Sequence, residues 1–80
     1  MTYSEAVSLR ILRLCNEKDI TINKLATMSG IAQSTLDNII KGNSKNPGIR
    51  TLHRIANGMN MTISEFFDFP EINAVTFDED

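Results

Sequence analysis

The sequence has few of the residues on which most enzymes and disulfide-stabilised proteins depend. Among its 80 residues there are one cysteine, one histidine and no tryptophan. A lone cysteine cannot close a disulfide within the chain, and Cys15 and His53 alone are too few for a metal site. The sequence offers no nucleophile paired with a base and no glycine-rich phosphate loop. We therefore expect neither catalytic activity nor a cofactor.

Long apolar runs are absent as well. No stretch approaches the roughly 20 residues needed to cross a bilayer, and the first residues lack the basic start and apolar stretch of a signal peptide. A hydrophobic fraction of 41%, with four glycines and two prolines, is typical of a globular chain. At this length we expect one small domain that is soluble, cytoplasmic and without a membrane partner.

The formal net charge of −2 conceals an uneven distribution of charge along the chain. Residues 1–64 carry all eight basic residues and four acidic ones, a net +4. Residues 65–80 carry six acidic residues and no basic one, a net −6. A basic body with an acidic tail indicates a body that can approach nucleic acid and a tail that phosphate repels.

Apolar residues recur at helical spacing in five segments, which predicts an all-α fold without internal repeats. The predicted helices cover about residues 4–18, 22–28, 33–41, 52–59 and 62–69. Ser4 and Thr21 are the expected N-caps of the first two, and Thr62 with Glu65 matches the capping box that opens the fifth. The residues expected to face inward are Val7, Ile11, Leu14, Ile22, Leu25, Ala26, Leu36, Ile39, Ile40, Leu52, Ile55, Ala56 and Met59.

The second and third predicted helices form the arrangement that most directly indicates a function. Both are short, and Gly30 lies in the tight turn between them. The third helix is apolar on one side, whereas its other side carries Gln33, Ser34, Asp37 and Asn38. Two short helices joined in this way are typical of a helix-turn-helix, whose second helix enters a DNA groove.

A longer pattern of residues resembles the phage-repressor and Cro-type (XRE) family of DNA-binding proteins, over about residues 7–67. It consists of Leu25, Ala26, Ser29, Gly30, Ile31, Ser34, Thr35, Leu36, Ile39 and Gly42, followed by Pro47, Leu52, Ile55, Ala56, Met61, Thr62 and Ile63. The resemblance implies a compact five-helix bundle of the lambda-repressor-like type. It also implies a sequence-specific transcriptional regulator, with repression as the expected mode, that binds a double-stranded operator as a homodimer. We assign residues 1–69 to this domain and residues 70–80 to an acidic tail.

The resemblance places three residues at positions that the family uses to contact base edges: Gln33, Ser34 and Asn38. Their chemistry agrees independently, because Gln and Asn can each offer a donor and an acceptor to adenine, worth about 1–3 kcal/mol of discrimination. The alternative is that these residues are simply the polar side of a solvated helix.

Phosphate contacts are expected from groups that flank the third helix, since cations and helix N-termini attract phosphate. The candidates are Thr21, Lys24, Thr35, Lys41, Asn43 and Lys45. Arg50 and Arg54 are interpreted as solvated. The family often has Gln where this chain has Ile22, and a basic residue near Met28. Both departures predict a weaker hold on phosphate.

A third departure concerns a buried ion pair that many members have between the first and third helices. The matching positions here are Cys15 and Ile40, so both partners are apolar and no buried charge is left unpaired. We interpret Cys15 as a core residue rather than a redox sensor. His53 has no acidic residue, Cys or Ser at a catalytic spacing and is interpreted as a surface or partly packed residue.

The acidic tail leaves two interpretations open. The alternative function is a protein-interaction or antitoxin-like module that uses residues 71–80 to bind a protein partner. For the homodimer, we expect the fifth helix and the tail to supply the contact, because their apolar residues exceed what so small a core needs; these are Phe66, Phe67, Phe69, Ile72, Val75 and Phe77. The competing interpretation is a tail that folds back on its own domain or frays. Leu9 and Leu12 lie off the buried face and are either isolated surface residues or part of a partner contact.

Overall fold

The computed structural model describes residues 1–44 and 46–77, which contain five α-helices and one 3₁₀ helix. The elements are α1 (Tyr3–Lys18), α2 (Ile22–Ser29), α3 (Gln33–Ile40), α4 (Ile49–Gly58), α5 (Ile63–Phe66) and the 3₁₀ helix (Pro70–Ala74). The predicted all-α fold with five α-helices is confirmed.

The start of α1 differs from the prediction that Ser4 is its N-cap. Thr2 caps the helix instead: its hydroxyl accepts from the Glu5 N–H at 3.1 Å, and the Glu5 carboxylate accepts from the Thr2 N–H at 2.9 Å. Ser4 is buried inside the first turn. The reciprocal pair satisfies two backbone amides, whereas a lone serine cap would satisfy one. The capping box therefore defines where α1 begins.

Both short helices of the helix-turn-helix begin and end close to their predicted positions. Thr21 caps α2 through the Lys24 N–H as expected, and Gly30 ends it in the left-handed conformation at φ 68°. α3 ends at Ile40, one residue earlier than predicted, with Lys41 as its C-cap. Gly42 takes φ 76° there, a conformation that a residue with a Cβ adopts only at a cost.

The core lies between α1, α2, α3 and α4, with Phe66 of α5 closing one side. α1 packs on α3, α2 packs on both α3 and α4, and α5 packs on α4. The residues predicted to face inward are buried, apart from Ile22 and Ile40, which are half-buried against the core. Cys15 is a core residue as predicted, and burial raises the pKa of its thiol.

Helices α2 and α4 approach each other most closely where Ser29 meets Gly58. A Cβ atom added to Gly58 would lie 2.3 Å from the Ser29 Oγ and 2.9 Å from the Ser29 Cα and N. Two of these three atoms belong to the backbone, which cannot move aside as a flexible side chain can. Glycine at this position therefore sets the distance between the two helices.

The end of α5 is held by α1. The predicted capping box of Thr62 and Glu65 is present, but α5 ends at Phe66 rather than near residue 69. Arg10 of α1 donates to the Phe66 carbonyl at 2.8 Å and to the Glu65 carbonyl at 2.7 Å. Its guanidinium also lies 5.2 Å from the centre of the Phe69 ring. One cation thus satisfies the Phe66 carbonyl and adds a second bond to the Glu65 carbonyl, which also accepts from the Asp68 N–H at 3.2 Å.

After α5 the chain folds back on its own domain. Arg13 of α1 forms an ion pair with Glu71, the Thr76 N–H donates to the Met1 carbonyl at 3.2 Å, and the rings of Tyr3 and Phe77 lie 5.6 Å apart. We call residues 70–77 the C-terminal segment. Predicted tail residues 78–80 lie outside the described residues.

The prediction that α5 and the tail hold spare apolar residues is wrong for most of them. Phe66 and Phe69 are buried in their own domain, and Phe67 packs against the core. Ile72 and Val75 are half-buried, and only Phe77 is largely exposed, at 77%. The competing interpretation, a tail that folds back, describes residues 70–77. Within residues 1–44 and 46–77, no helix has the length and apolar character needed to span a membrane.

Candidate nucleic-acid interface

Helix α3 presents a polar surface to solvent while its opposite side is fixed in the core. Leu36 and Ile39 are 0% and 2% exposed, whereas Gln33, Ser34 and Asn38 are exposed. We call these three exposed residues the reading face. Because residues of one helix keep a fixed angular relation, the buried pair holds the reading face in one orientation.

Within α3, Gln33 is oriented by a neighbour one turn further on. Its amide Nε2 donates to the Asp37 carboxylate at 3.2 Å. This contact uses one of the two amide protons and leaves the Gln33 carbonyl and the second proton free to meet a ligand. Asp37 was placed on this polar side from the sequence, but its contact with Gln33 was not foreseen.

The loop after α3 is held against the end of α3 by hydrogen bonds. The carbonyl of Asn38 accepts from the Asn43 N–H at 2.9 Å and from the Ser44 N–H at 3.2 Å, and the Ile39 carbonyl accepts from Gly42. This is the hydrogen-bond pattern of a Schellman C-cap. The Ser8 hydroxyl of α1 also donates to the Ile40 carbonyl at 2.7 Å. The start of the loop therefore has a defined position relative to the reading face.

A polar recess of about 190 Å³ lies between α3, the loop and the start of α4. Its polar lining residues are Thr35, Asn38, Ser44, Asn46 and Thr51. The structure thus brings together two predicted site residues, Thr35 and Asn38, with three that sequence reasoning missed. The run of turn formers ending at Pro47 was the available signal, because it indicates a chain that turns back toward α3.

The candidate phosphate ligands lie on two separate elements. Thr21 and Lys24 lie in the first turn of α2, whose free amides also point outward from the helix start. Lys41 and Asn43 lie at the end of α3 and in the loop, and both are exposed. Neither lysine forms an ion pair within residues 1–44 and 46–77. Lys45, the remaining candidate, lies outside the described residues.

The two departures from the family pattern occupy different surroundings. Ile22, at the start of α2, is half-buried and packs against the core. Met28 is exposed on the outer side of α2. Neither can donate to a phosphate from its side chain, so the candidate phosphate-binding surface has fewer side-chain donors than the resemblance implied.

Comparison with known proteins identifies the family to which the chain belongs. Residues 10–71 match the profile of the Cro/C1-type HTH DNA-binding domain. A crystal structure described as that of the prophage Lp1 protein 11 has a TM-score of 0.81 and 36% identity, and covers 91% of this chain and 96% of that one.

Two proteins of Bacillus subtilis (strain 168) are also similar. One is named the SPbeta prophage-derived uncharacterized HTH-type transcriptional regulator YopS and is 34% identical over 74% of this chain and 80% of its own length. The other, the HTH-type transcriptional regulator SlrR, is 35% identical over 74% of this chain, but the match covers only 40% of SlrR. The chain belongs to the Cro/C1-type helix-turn-helix family and is a DNA-binding transcriptional regulator.

Proposed function

We propose that this regulator places α3 in the major groove of an operator and reads bases with Gln33, Ser34 and Asn38. The observation that carries the proposal is the contrast across α3, where the buried Leu36 and Ile39 fix an exposed side that bears the uncharged donors and acceptors of its reading face. Such groups match the hydrogen-bonding edges of bases, whereas cations favour phosphate.

The groups around the reading face are suited to the DNA backbone. Thr21 and the free amides at the start of α2, Lys24, Thr35, Lys41 and Asn43 would bind phosphates on either side of the groove. Lys45 remains a candidate from the sequence. These contacts set the register of the helix on the duplex and add affinity that does not depend on sequence.

The regulator is proposed to act as a homodimer, at least on DNA, and to repress by occupying its operator. One reading helix covers only a half-site, so two copies with their helices roughly 34 Å apart would gain specificity on a two-fold operator. This activity consists of binding alone, without catalysis or a cofactor, and it requires the compartment that holds the DNA, the cytoplasm.

Selection of bound sequences from a random duplex pool, at a stated salt concentration, tests the proposal. The wild type should select a motif with two-fold symmetry. Gln33→Ala and Asn38→Ala should each lose the preference at a base pair in both half-sites, a loss of about 1–3 kcal/mol of discrimination. A motif that is unchanged in both variants contradicts the base-reading assignment, and a motif without two-fold symmetry contradicts the dimer.

Lys41→Gln separates the two kinds of contact in the same experiment. It should retain the selected motif, weaken binding to all sequences alike and reduce the slope of log affinity against log salt by about one. Lys18→Gln, which removes an exposed cation at the end of α1 outside the proposed interface, is the matched control. Equal effects of the two lysine variants would contradict a backbone contact at Lys41.

A further inference from the structure

A second polar pocket lies away from the reading face, between α2 and α4. It has a volume of about 300 Å³ and is lined by Ser29 of α2 and by Arg50, His53, Arg54 and Asn57 of α4. The four α4 residues follow one another at spacings of three, one and three. They therefore form one stripe along the helix, opposite Ser29.

The charge of this pocket is uncompensated within the part of the chain that the structure describes. Arg50 and Arg54 make neither an ion pair nor a hydrogen bond with residues 1–44 or 46–77, and no acidic side chain lines the pocket. Like charges at a spacing of four along a helix repel each other. An anion between the two guanidinium groups would relieve this repulsion.

Ser29 forms the α2 side of the pocket. The side chain is 8% exposed and lines the pocket, and its hydroxyl has no hydrogen-bond partner among the described residues. The hydroxyl is enclosed against Gly58 of α4, where an added Cβ would lie 2.3 Å from the Ser29 Oγ. It therefore reaches a ligand in the pocket only when its side chain rotates to another rotamer.

We propose that this pocket binds a phosphate group. Two guanidinium forks and the Asn57 amide together offer more donors than the two oxygens of a carboxylate can accept. The several oxygens of a phosphate match this set, and Arg binds them in bidentate geometry. The source is either a free phosphate-bearing molecule or a backbone phosphate of bound DNA. The pocket does not depend on the base-reading assignment.

Titration of the full ¹⁵N-labelled chain with pyrophosphate, at constant ionic strength against sodium chloride, tests the pocket itself. We expect saturable shifts of the Ser29, His53 and Asn57 amide signals. The double variant Arg50→Gln/Arg54→Gln should lose about tenfold or more in affinity, because each charge-assisted fork is removed. Ser29→Ala should weaken binding less. Lys18→Gln, which removes an exposed cation outside the pocket, should bind like the wild type.

Binding of the same variants to the selected duplex, measured across salt concentrations, distinguishes the two sources. If the double variant reduces the salt slope by about two relative to Lys18→Gln, the pocket binds DNA phosphate. If pyrophosphate binds and DNA binding changes no more than in Lys18→Gln, the ligand is a free phosphate. The proposal is overturned if pyrophosphate shifts arise equally at all surface cations, or are unaffected by the double variant, while the salt slope is also unchanged.

The outcome is separable from that of the operator selection. If the operator selection contradicts the reading-face assignment, pyrophosphate should still bind, because Gln33 and Asn38 do not line this pocket. Loss of the pocket would likewise leave the selected motif unchanged. The spectra also report directly whether each variant is folded.

Discussion

Helix α3 and the C-terminal segment both pack against α1, but different interactions hold them there. α3 contributes Leu36 and Ile39 to the continuous core. No residue of the 3₁₀ helix in the C-terminal segment is fully buried, and its contacts include the ion pair between Arg13 and Glu71 and one backbone hydrogen bond from Thr76. Apolar burial is worth far more than exposed ion pairs, so the two elements should differ in how firmly they are held.

This difference separates the two functions that the sequence left open. A helix that reads bases has to be positioned accurately, and the core provides that for α3. A tail that binds a protein partner needs accessible groups, yet the described part of the tail is engaged with α1 and leaves Phe77 as its one exposed large hydrophobic residue. The structure therefore provides a rigid element at the proposed reading face.

The largest expected effect on stability comes from removing a core contact of α3. Leu36→Ala should destabilise the protein by about 2–5 kcal/mol, because Leu36 is completely buried and its truncation leaves a cavity. In thermal denaturation this corresponds to a fall in Tm of about 4–8 °C for each kcal/mol in a domain of this size. Leu12→Ala, at a position 44% exposed on α1, is the control and should have a much smaller effect. Equal losses in the two variants would show that burial does not hold α3.

The next effect concerns the close approach of α2 and α4. Gly58→Ala should cost about 1–3 kcal/mol, because the added Cβ clashes with the backbone of Ser29 and forces the helices apart. Gly48→Ala is the matched control, since a Cβ there meets nothing within 4 Å and the φ of Gly48 is −65°. Denaturant unfolding measures both. A Gly58→Ala variant as stable as Gly48→Ala would contradict the predicted clash.

The smallest effect should come from the C-terminal segment. Glu71→Gln removes the ion pair with Arg13 and should lower Tm at neutral pH by a few degrees at most, since the Arg13 side chain is exposed. In amide hydrogen exchange, the increase in exchange rate should be confined to residues 70–77. A loss of stability as large as that of Leu36→Ala would overturn the comparison between the two elements.

The effect of Glu71→Gln should also depend on pH. The hydrogen bond from Arg13 holds the pKa of Glu71 below its usual value of 4.5. Its contribution is therefore fully present above that value and is lost as the pH falls through the lowered pKa of the folded state. The difference in Tm between wild type and Glu71→Gln should shrink toward zero in acid. Glu17→Gln, which removes an exposed carboxylate without an ion pair among the described residues, is the matched control for the loss of a negative charge.

The helices and their buried faces could be predicted because they depend on local patterns. Leu36 and Ile39 repeat at helical spacing, and Gly30 and Gly42 follow the short helices where a left-handed residue ends them. Ser4 was wrong as a cap because Thr2 and Glu5 form the same capping box that was recognised at Thr62. The signal was local and available, two residues earlier than expected.

The features that were missed depend on residues far apart in the chain. Arg10 meets the carbonyl of Phe66, and Arg13 meets Glu71, across separations of 56 and 58 residues. No periodicity in the sequence encodes such contacts. The burial of the phenylalanines near residues 66–69 therefore could not be predicted from composition. The recess that adds Thr51 to Thr35 and Asn38 likewise exists only once the loop has turned back. The reading face itself remains a prediction that the operator selection tests.

The burial of Cys15 has a practical consequence for studying this protein. Thiolate is the reactive form of cysteine, and burial both raises the pKa of this thiol and shields it within the core. An alkylating reagent therefore reaches it only when α1 separates from its neighbours. The rate of Cys15 alkylation, compared with that of a small free thiol, reports how often the closed domain opens, without any engineered label.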